Sequence, residues 1–234
     1  MFGDCTTNDY DELYSRYLDN PDKLLDLAEY DPGNDILLDL CGGTGAITKA
    51  AIKRGAKEGS IYLIDINPRC PEEYMGFKIE IRKGDSYLRI WKYPLDIIRL
   101  NTKPIEFSKI ICRQAINYTY LEATTKRVYS NLKDNGLFVF NTFVKPQRLN
   151  YKRYTHKDCK FTEISLRFFK FVYHIQMKRS PYFAIDFTKF KWYTIEEFID
   201  ALYEAGFEYV KIKKEKNSLY FIVKKENEKC QSGT

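Results

Sequence analysis

The sequence predicts an α/β fold: a mostly parallel sheet, an antiparallel hairpin at its C-terminal end, and a small antiparallel β insert after the fifth strand. Three observations carry this. Apolar runs of strand length alternate with helix-like segments from Asp35 to Phe143, the pattern that builds a parallel sheet. From Tyr151 to Tyr193 helical spacing stops, and aromatic and β-branched residues take over with weak two-residue alternation. After one more helical segment, two short strand-like runs flank Glu215 to Asn217, which reads as a closing hairpin.

The elements follow in order. Tyr10, Leu13, Tyr14, Tyr17 and Leu18, then Leu24, Leu25 and Leu27, have helical spacing and predict two short helices broken at Asn20-Pro21. The first strand spans about 35–40, the first helix of the alternation about 44–55, and the second strand about 60–65. Two prolines between Ile66 and Gly76 keep any helix there short. Phe77 to Arg82 alternates apolar and charged residues and predicts the third strand, closed by Gly84-Asp85. A helix is expected from Ser86 to Leu100 despite Pro94, a fourth strand over Phe107 to Cys112, and a helix over Leu121 to Leu132. Asn135-Gly136 reads as a turn before an apolar fifth strand, Leu137 to Phe143. Thr194-x-x-Glu197 is a capping box opening a helix that stops at Gly206. Phe207 to Lys213 and Ser218 to Lys224 complete the hairpin. The 234 residues suit one domain, with residues 1–30 as lid helices and 151–193 as the insert.

Composition narrows the function classes. The net charge of +6 is spread along the chain, whereas a nucleic-acid footprint needs a concentrated patch. The six cysteines (Cys5, Cys41, Cys70, Cys112, Cys159, Cys230) have no CxxC spacing, and only His156 and His174 could join them, so no metal site is expected. Scattered cysteines in an α/β chain suit free thiols in a reducing compartment. No N-terminal apolar leader and no run of about 18 apolar residues is present. The expectation is a cytoplasmic protein without a membrane partner.

Ile36 to Asp65 carries the chemistry. It reads as strand, glycine turn (Cys41-Gly42-Gly43-Thr44-Gly45), helix, strand and acid. Glycine lets a ligand approach the backbone, and the helix start offers unpaired N–H groups. An acid about 20 residues beyond such a turn grips a ribose hydroxyl pair. The stretch therefore predicts a nucleoside pocket. The third glycine of G-x-G-x-x-G is missing, and no G-x-x-x-x-G-K-[ST] occurs, so pyrophosphate and triphosphate fit poorly. A nucleoside with a compact charged tail remains.

With these residues in hand, the chain resembles the Rossmann-like (class I) S-adenosylmethionine-dependent methyltransferases of the small-molecule type over nearly its whole length. Five segments carry the resemblance in order: Asp39 to Gly45, Asp65, Gly84-Asp85, Arg113 to Tyr118, and Tyr193 to Phe198 continuing through Ala205-Gly206-Phe207. The resemblance implies S-adenosyl-L-methionine as methyl donor and S-adenosyl-L-homocysteine as product. It implies that Asp39 orients the turn, and that Cys41, Gly42, Gly43 and Gly45 let the cofactor lie on the backbone. Asp65, with Ile66 beside it, would take the ribose. Asp85 and Ser86 would meet the adenine. Arg113 and Gln114 would back the methionine portion, and Tyr10 or Tyr17 would cover it. The family's first turn glycine is Cys41 here, leaving slightly less room. Bland alternatives stay open: Asp39 as a turn cap, Asp65 and Asp85 as solvated strand ends, Cys41 as packing.

Methyl transfer from a sulfonium is an in-line displacement, so alignment dominates and a base is needed only for an acceptor that keeps its proton. No catalytic residue is demanded. Asn117 and Tyr118 are candidates, joined by Arg113, Gln114, Asn141 and Thr142, with His174 in the insert. The aromatics of the insert either pack on the main domain or at a homodimer contact, or wall an acceptor site. The place after the fourth strand reads Arg113-Gln114-Ala115-Ile116 rather than the [Asn/Asp]-Pro-Pro-aromatic signature of nucleic-acid adenine methylation. A small-molecule acceptor is expected. RNA or protein acceptors, and a non-catalytic cofactor-binding scaffold, stand as alternatives.

Overall fold

A computed structural model describes residues 19–65, 70–83, 99–100, 103–143, 193–215 and 218–227. In chain order its elements are helix α1 (Pro21–Leu27), strand β1 (Leu37–Leu40), α2 (Ala46–Lys53), β2 (Ile61–Asp65), the short strands β3 (Glu73–Tyr74) and β4 (Phe77–Lys78), then β5 (Glu80–Lys83). There follow the short β6 (Arg99–Leu100) and β7 (Lys103–Pro104), then β8 (Phe107–Arg113), a 3₁₀ turn (Ile116–Tyr118), α3 (Leu121–Asn131), β9 (Leu132–Phe143), α4 (Ile195–Glu204), β10 (Tyr209–Glu215) and β11 (Ser218–Lys224).

Seven strands form one sheet in the order β10-β11-β9-β8-β1-β2-β5. The pairs β2/β5, β1/β2, β1/β8 and β8/β9 are parallel, and β9/β11 and β10/β11 are antiparallel. The chain runs outward from β1 through β2 to β5, then returns to lay β8 on the other side of β1. That reversal makes the carboxyl ends of β1 and β8 a topological switch point, where open α/β sheets bind ligands.

Period-two alternation sorts the central strands between two cores. Leu38, Leu40, Ile110, Cys112, Phe138, Phe140 and Phe221 face one side with Leu121 and Val128 of α3 and Phe198 and Leu202 of α4. Leu37, Ile61, Ile111, Val139 and Tyr220 face the other with Leu24 and Leu25 of α1 and Ile47, Ala50 and Ala51 of α2. Burial on both faces explains why β1 reads Leu-Leu-Asp-Leu without alternation, as parallel strands do. Burying each such side chain contributes about 1.5–3 kcal/mol.

Local chemistry sets the helix ends. Pro21 occupies the first turn of α1, and the Asn20 side chain accepts the Asp22 N–H at 2.9 Å. Thr194 forms the expected capping box: its Oγ1 accepts the Glu197 N–H at 3.1 Å, and the Glu197 carboxylate accepts the Thr194 N–H at 2.7 Å.

Three expectations are corrected. The third strand does not run through Phe77–Arg82. Met75 and Gly76 both take left-handed φ, so Glu73–Tyr74 and Phe77–Lys78 fold into a separate tight hairpin. Only Glu80–Lys83 joins the main sheet. A helix over Ser86 to Leu100 cannot reach its end, because Arg99–Leu100 pair antiparallel with Lys103–Pro104. Asn135-Gly136 is not a turn between elements; β9 passes through it as a bulge, with Asn135 at φ +60 and a shifted register against β8. Cross-bonds to Lys225, from Asn135 N–H at 2.7 Å and to Gly136 O at 3.1 Å, hold it in the sheet.

The first predicted N-terminal helix and nearly all of the insert, residues 151–192, lie outside the described residues. The one described aromatic of that region, Tyr193, is core: it is buried, its hydroxyl donates to Thr119 O at 2.9 Å, and its ring packs edge-on against Phe198. Among the described residues no helix is long and apolar enough to cross a membrane.

Candidate active site

The glycine turn leaves β1 at the switch point. Cys41, Gly43 and Gly45 all take left-handed backbone, at φ +58, +53 and +75. This conformation costs an L-residue about 1–2 kcal/mol, so Cys41 occupies a position that glycine would fill without strain. Gly42 N–H donates to Ile64 O at 3.2 Å and Gly45 N–H to Gly42 O at 2.8 Å, closing the turn against β2. The glycines are not equivalent. A Cβ on Gly42 would lie 2.6 Å from Leu63 Cγ, and one on Gly45 would collide with Cys70 Sγ. Among the described residues a Cβ on Gly43 would meet nothing nearer than Asp65 Oδ2 at 4.0 Å. Gly42 and Gly45 are small for packing, whereas Gly43 presents an open backbone face.

Two buried acids frame the turn. Asp39, 1% exposed, receives both the Thr48 hydroxyl (2.8 Å) and the Thr48 N–H (3.1 Å) on Oδ2. It therefore ties β1 to the first turns of α2 and holds the glycine loop between them. Burial pushes its carboxyl up to about 6, with the Thr48 bonds and the Arg113 charge pulling the other way. Asp65 is no solvated strand end. It is 7% exposed, and its Oδ2 accepts the Gly43 N–H at 2.9 Å. Cys41 lies beside Cys112, and that neighbouring thiol together with burial keeps it well above the usual thiol range, so it packs rather than reacts.

The ends of β8 and β9 carry a second polar group. Asn141, fully buried, accepts the Gln114 N–H on Oδ1 at 3.0 Å and donates through Nδ2 to the Asp19 carboxylate. Thr142 donates to Asn117 Oδ1. Arg113 Nη1 donates to Asp19 O at 3.4 Å. Tyr220, buried and hydrogen-bonded to the Asp19 carboxylate, has its phenol held well above the usual range. Gln114 takes φ +54, a second strained non-glycine residue at the switch point.

The comparisons with known proteins place the chain. Residues 10–212 match the sequence model of a family described as the methyltransferase domain. The chain belongs to that family. A ubiquinone/menaquinone biosynthesis C-methyltransferase of Neisseria gonorrhoeae is 28% identical over 134 residues, covering 53% of this chain and 50% of the relative. The chain thus spans about half the length of the curated relatives it matches. Human N-acetylserotonin methyltransferase, solved with S-adenosylmethionine, superposes with a TM-score of 0.53 at 18% identity, covering 94% of this chain and 55% of that one. Magnesium protoporphyrin IX methyltransferase from Synechocystis PCC 6803, solved with S-adenosylhomocysteine, gives 0.54 at 12% identity, covering 97% and 90%. These likenesses show a Rossmann-like methyltransferase fold.

Within this methyltransferase-domain chain, one end of the sheet gathers Asp39, Cys41, Gly42, Gly43, Gly45, Asp65, Arg113, Gln114 and Asn117, each at or just beyond the carboxyl end of β1, β2 or β8. Tyr118 lies half-buried in the 3₁₀ turn after β8. Tyr10, Tyr17, Ile66, Asp85, Ser86 and His174 lie outside the described residues. Sequence reasoning missed Asp19 and Thr48. Thr48 stands nine residues beyond Asp39, with no motif to mark the pair, and Asp19 meets Asn141 across 122 residues of chain.

Proposed function

We propose that this protein is an S-adenosylmethionine-dependent methyltransferase that transfers a methyl group to a small-molecule acceptor by in-line displacement. The observation that carries the reading is the contact between Gly43 and Asp65: an open left-handed glycine whose N–H is held by a buried acid one strand away. That arrangement offers a nucleoside a flat backbone face and a carboxylate for its ribose hydroxyls, in a chain of the methyltransferase-domain family. The bound cofactor supplies the electrophilic methyl and the leaving group. The chain's part is to bind and align. In this reading Asp39, through Thr48, holds the loop, Gly45 lets it close against Cys70, Gly43 receives the cofactor, and Asp65 grips the ribose. Cys41 narrows the turn slightly. A cytoplasmic location and a single methyltransferase domain accompany the proposal.

Asp65→Ala tests the pocket. Loss of a charge-assisted hydrogen bond should weaken S-adenosylhomocysteine binding by about 1.5–3 kcal/mol in calorimetry. Unchanged affinity would remove Asp65 from the site. Incubating the protein with methyl-labelled cofactor and fractionated extract tests the acceptor class. Label is expected among small molecules, and label recovered only in RNA or protein would replace that part of the reading.

A further inference from the structure

Gln114 directly follows β8 in a conformation that glycine would adopt more easily, and it is 6% exposed. Its backbone is held there by the bond from its N–H to Asn141. Both polar atoms of its side chain, Nε2 and Oε1, are buried without a hydrogen-bond partner among the described residues. A buried amide left unpaired is costly, and folded proteins hold few such groups, each of which calls for a partner such as a ligand or an ordered water. Strain and an unpaired amide at the same residue are two independent marks of function.

The position of this residue indicates which ligand it serves. The glycine turn and Asp65 follow β1 and β2, whereas the Gln114 backbone is tied to β9, on the far side of β8. Asn141 joins it there to the Asp19 carboxylate, which is only partly buried. Arg113 acts between the two regions, with its charge felt at Asp39 and its Nη1 on Asp19 O. The polar group at β8 and β9 is therefore set beside the proposed cofactor loop, where a second reactant would meet the methyl. A carboxamide offers one donor and one acceptor side by side.

We propose that the Gln114 carboxamide, with the Asp19 carboxylate positioned beside it through Asn141, recognises the methyl acceptor, and that this acceptor presents a hydrogen-bond donor next to a hydrogen-bond acceptor, as an amide, a lactam or a hydroxy-carbonyl group does. The inference rests on the methyltransferase reading and moves Gln114 from the cofactor's methionine portion to the acceptor. Asp19 adds a second point of attachment for an O–H or N–H of the same molecule.

The test compares wild type with Gln114→Leu and Gln114→Glu, the latter keeping shape but losing the donor. S-adenosylhomocysteine binding by calorimetry and transfer of labelled methyl to the small-molecule extract fraction are measured on each. Both variants should bind S-adenosylhomocysteine within about twofold of wild type, while transfer at limiting extract falls at least about tenfold. A tenfold loss of S-adenosylhomocysteine affinity in Gln114→Leu assigns the amide to the cofactor and overturns the proposal. Undiminished transfer by Gln114→Leu overturns it as well, and undiminished transfer by Gln114→Glu overturns the donor half. Wild type that binds no S-adenosylhomocysteine sinks the methyltransferase reading itself, and this inference with it.

Discussion

Asp39 carries the clearest pH signature among the described residues. Its carboxyl sits at about 6 in the folded chain against 3.8 for the free side chain, because burial opposes the charge. A raised folded value means that the native state holds the proton more tightly than the unfolded chain. The stabilising contribution is then complete below about pH 4 and lost as pH rises through about 6. Two units correspond to about 3 kcal/mol. Asp39→Asn should flatten this slope: urea unfolding of wild type and variant should diverge between pH 4 and 6 and run parallel above. Parallel curves throughout would mean that Asp39 ionises normally. Gly42 and Gly43, adjacent in sequence, should respond differently. Gly42→Ala drives a methyl against Leu63 and Asp39 and should cost about 1–3 kcal/mol of stability by urea unfolding. Gly43→Ala meets no crowding among the described residues, so beyond the roughly 1–2 kcal/mol that its left-handed backbone costs any L-residue it should lose S-adenosylhomocysteine affinity; binding equal to wild type would take the cofactor off that face.

At the scale of elements, α4 shows how a sequence signal becomes stability. Thr194 and Glu197 satisfy each other's backbone donors, and the helix lays Phe198, Ala201 and Leu202 onto the sheet. Phe198 packs against both Phe140 and Phe221, whose rings stack at 4.6 Å between centroids, so the helix start is coupled to β9 and β11. Thr194→Ala should cost about 1 kcal/mol in denaturant midpoint at unchanged slope. A variant as stable as wild type would show that Tyr193 and Phe198 hold the helix without its cap. The hairpin Glu73–Lys78 makes the opposite point. Its turn residues Met75-Gly76 lie beyond Cys70-Pro71, in a stretch that composition marks as loop, and only the paired left-handed conformations reveal it. Likewise Asn135-Gly136 carries a strong turn signal, yet its bonds to Lys225 take it into β9 as a bulge, where the ladder to β8 skips from Leu132 to Leu137.

At the scale of the whole molecule, the site is a property of strand order. Residues from β1, β2, β8 and β9, and Asp19 just before α1, converge because the chain reverses between β5 and β8. A cofactor bound across that switch point should stabilise the whole sheet. S-adenosylhomocysteine at about 100 times its dissociation constant should add about 2.7 kcal/mol. For 234 residues that raises the melting temperature by roughly 5–10 °C. A melting temperature insensitive to the ligand would argue against a pocket at β1 and β8.

What the sequence determined alone is local. The glycine turn, the acid closing each of the first two strands, the capping box and the doubly buried runs are short-range patterns whose physics is contained in a few neighbouring residues. They sufficed for the fold class and the order of the central strands and of the helices beside them, and not for the two short hairpins at Glu73–Lys78 and Arg99–Pro104. The tertiary structure decided everything that joins distant residues. Thr48 holds Asp39, Gly43 after β1 holds Asp65 at the end of the neighbouring β2, and Asn141 ties Gln114 to Asp19, which lies 122 residues before Asn141. Such bonds have no spacing to read, because the sheet order that creates them is set by hydrophobic packing on both faces of the central strands.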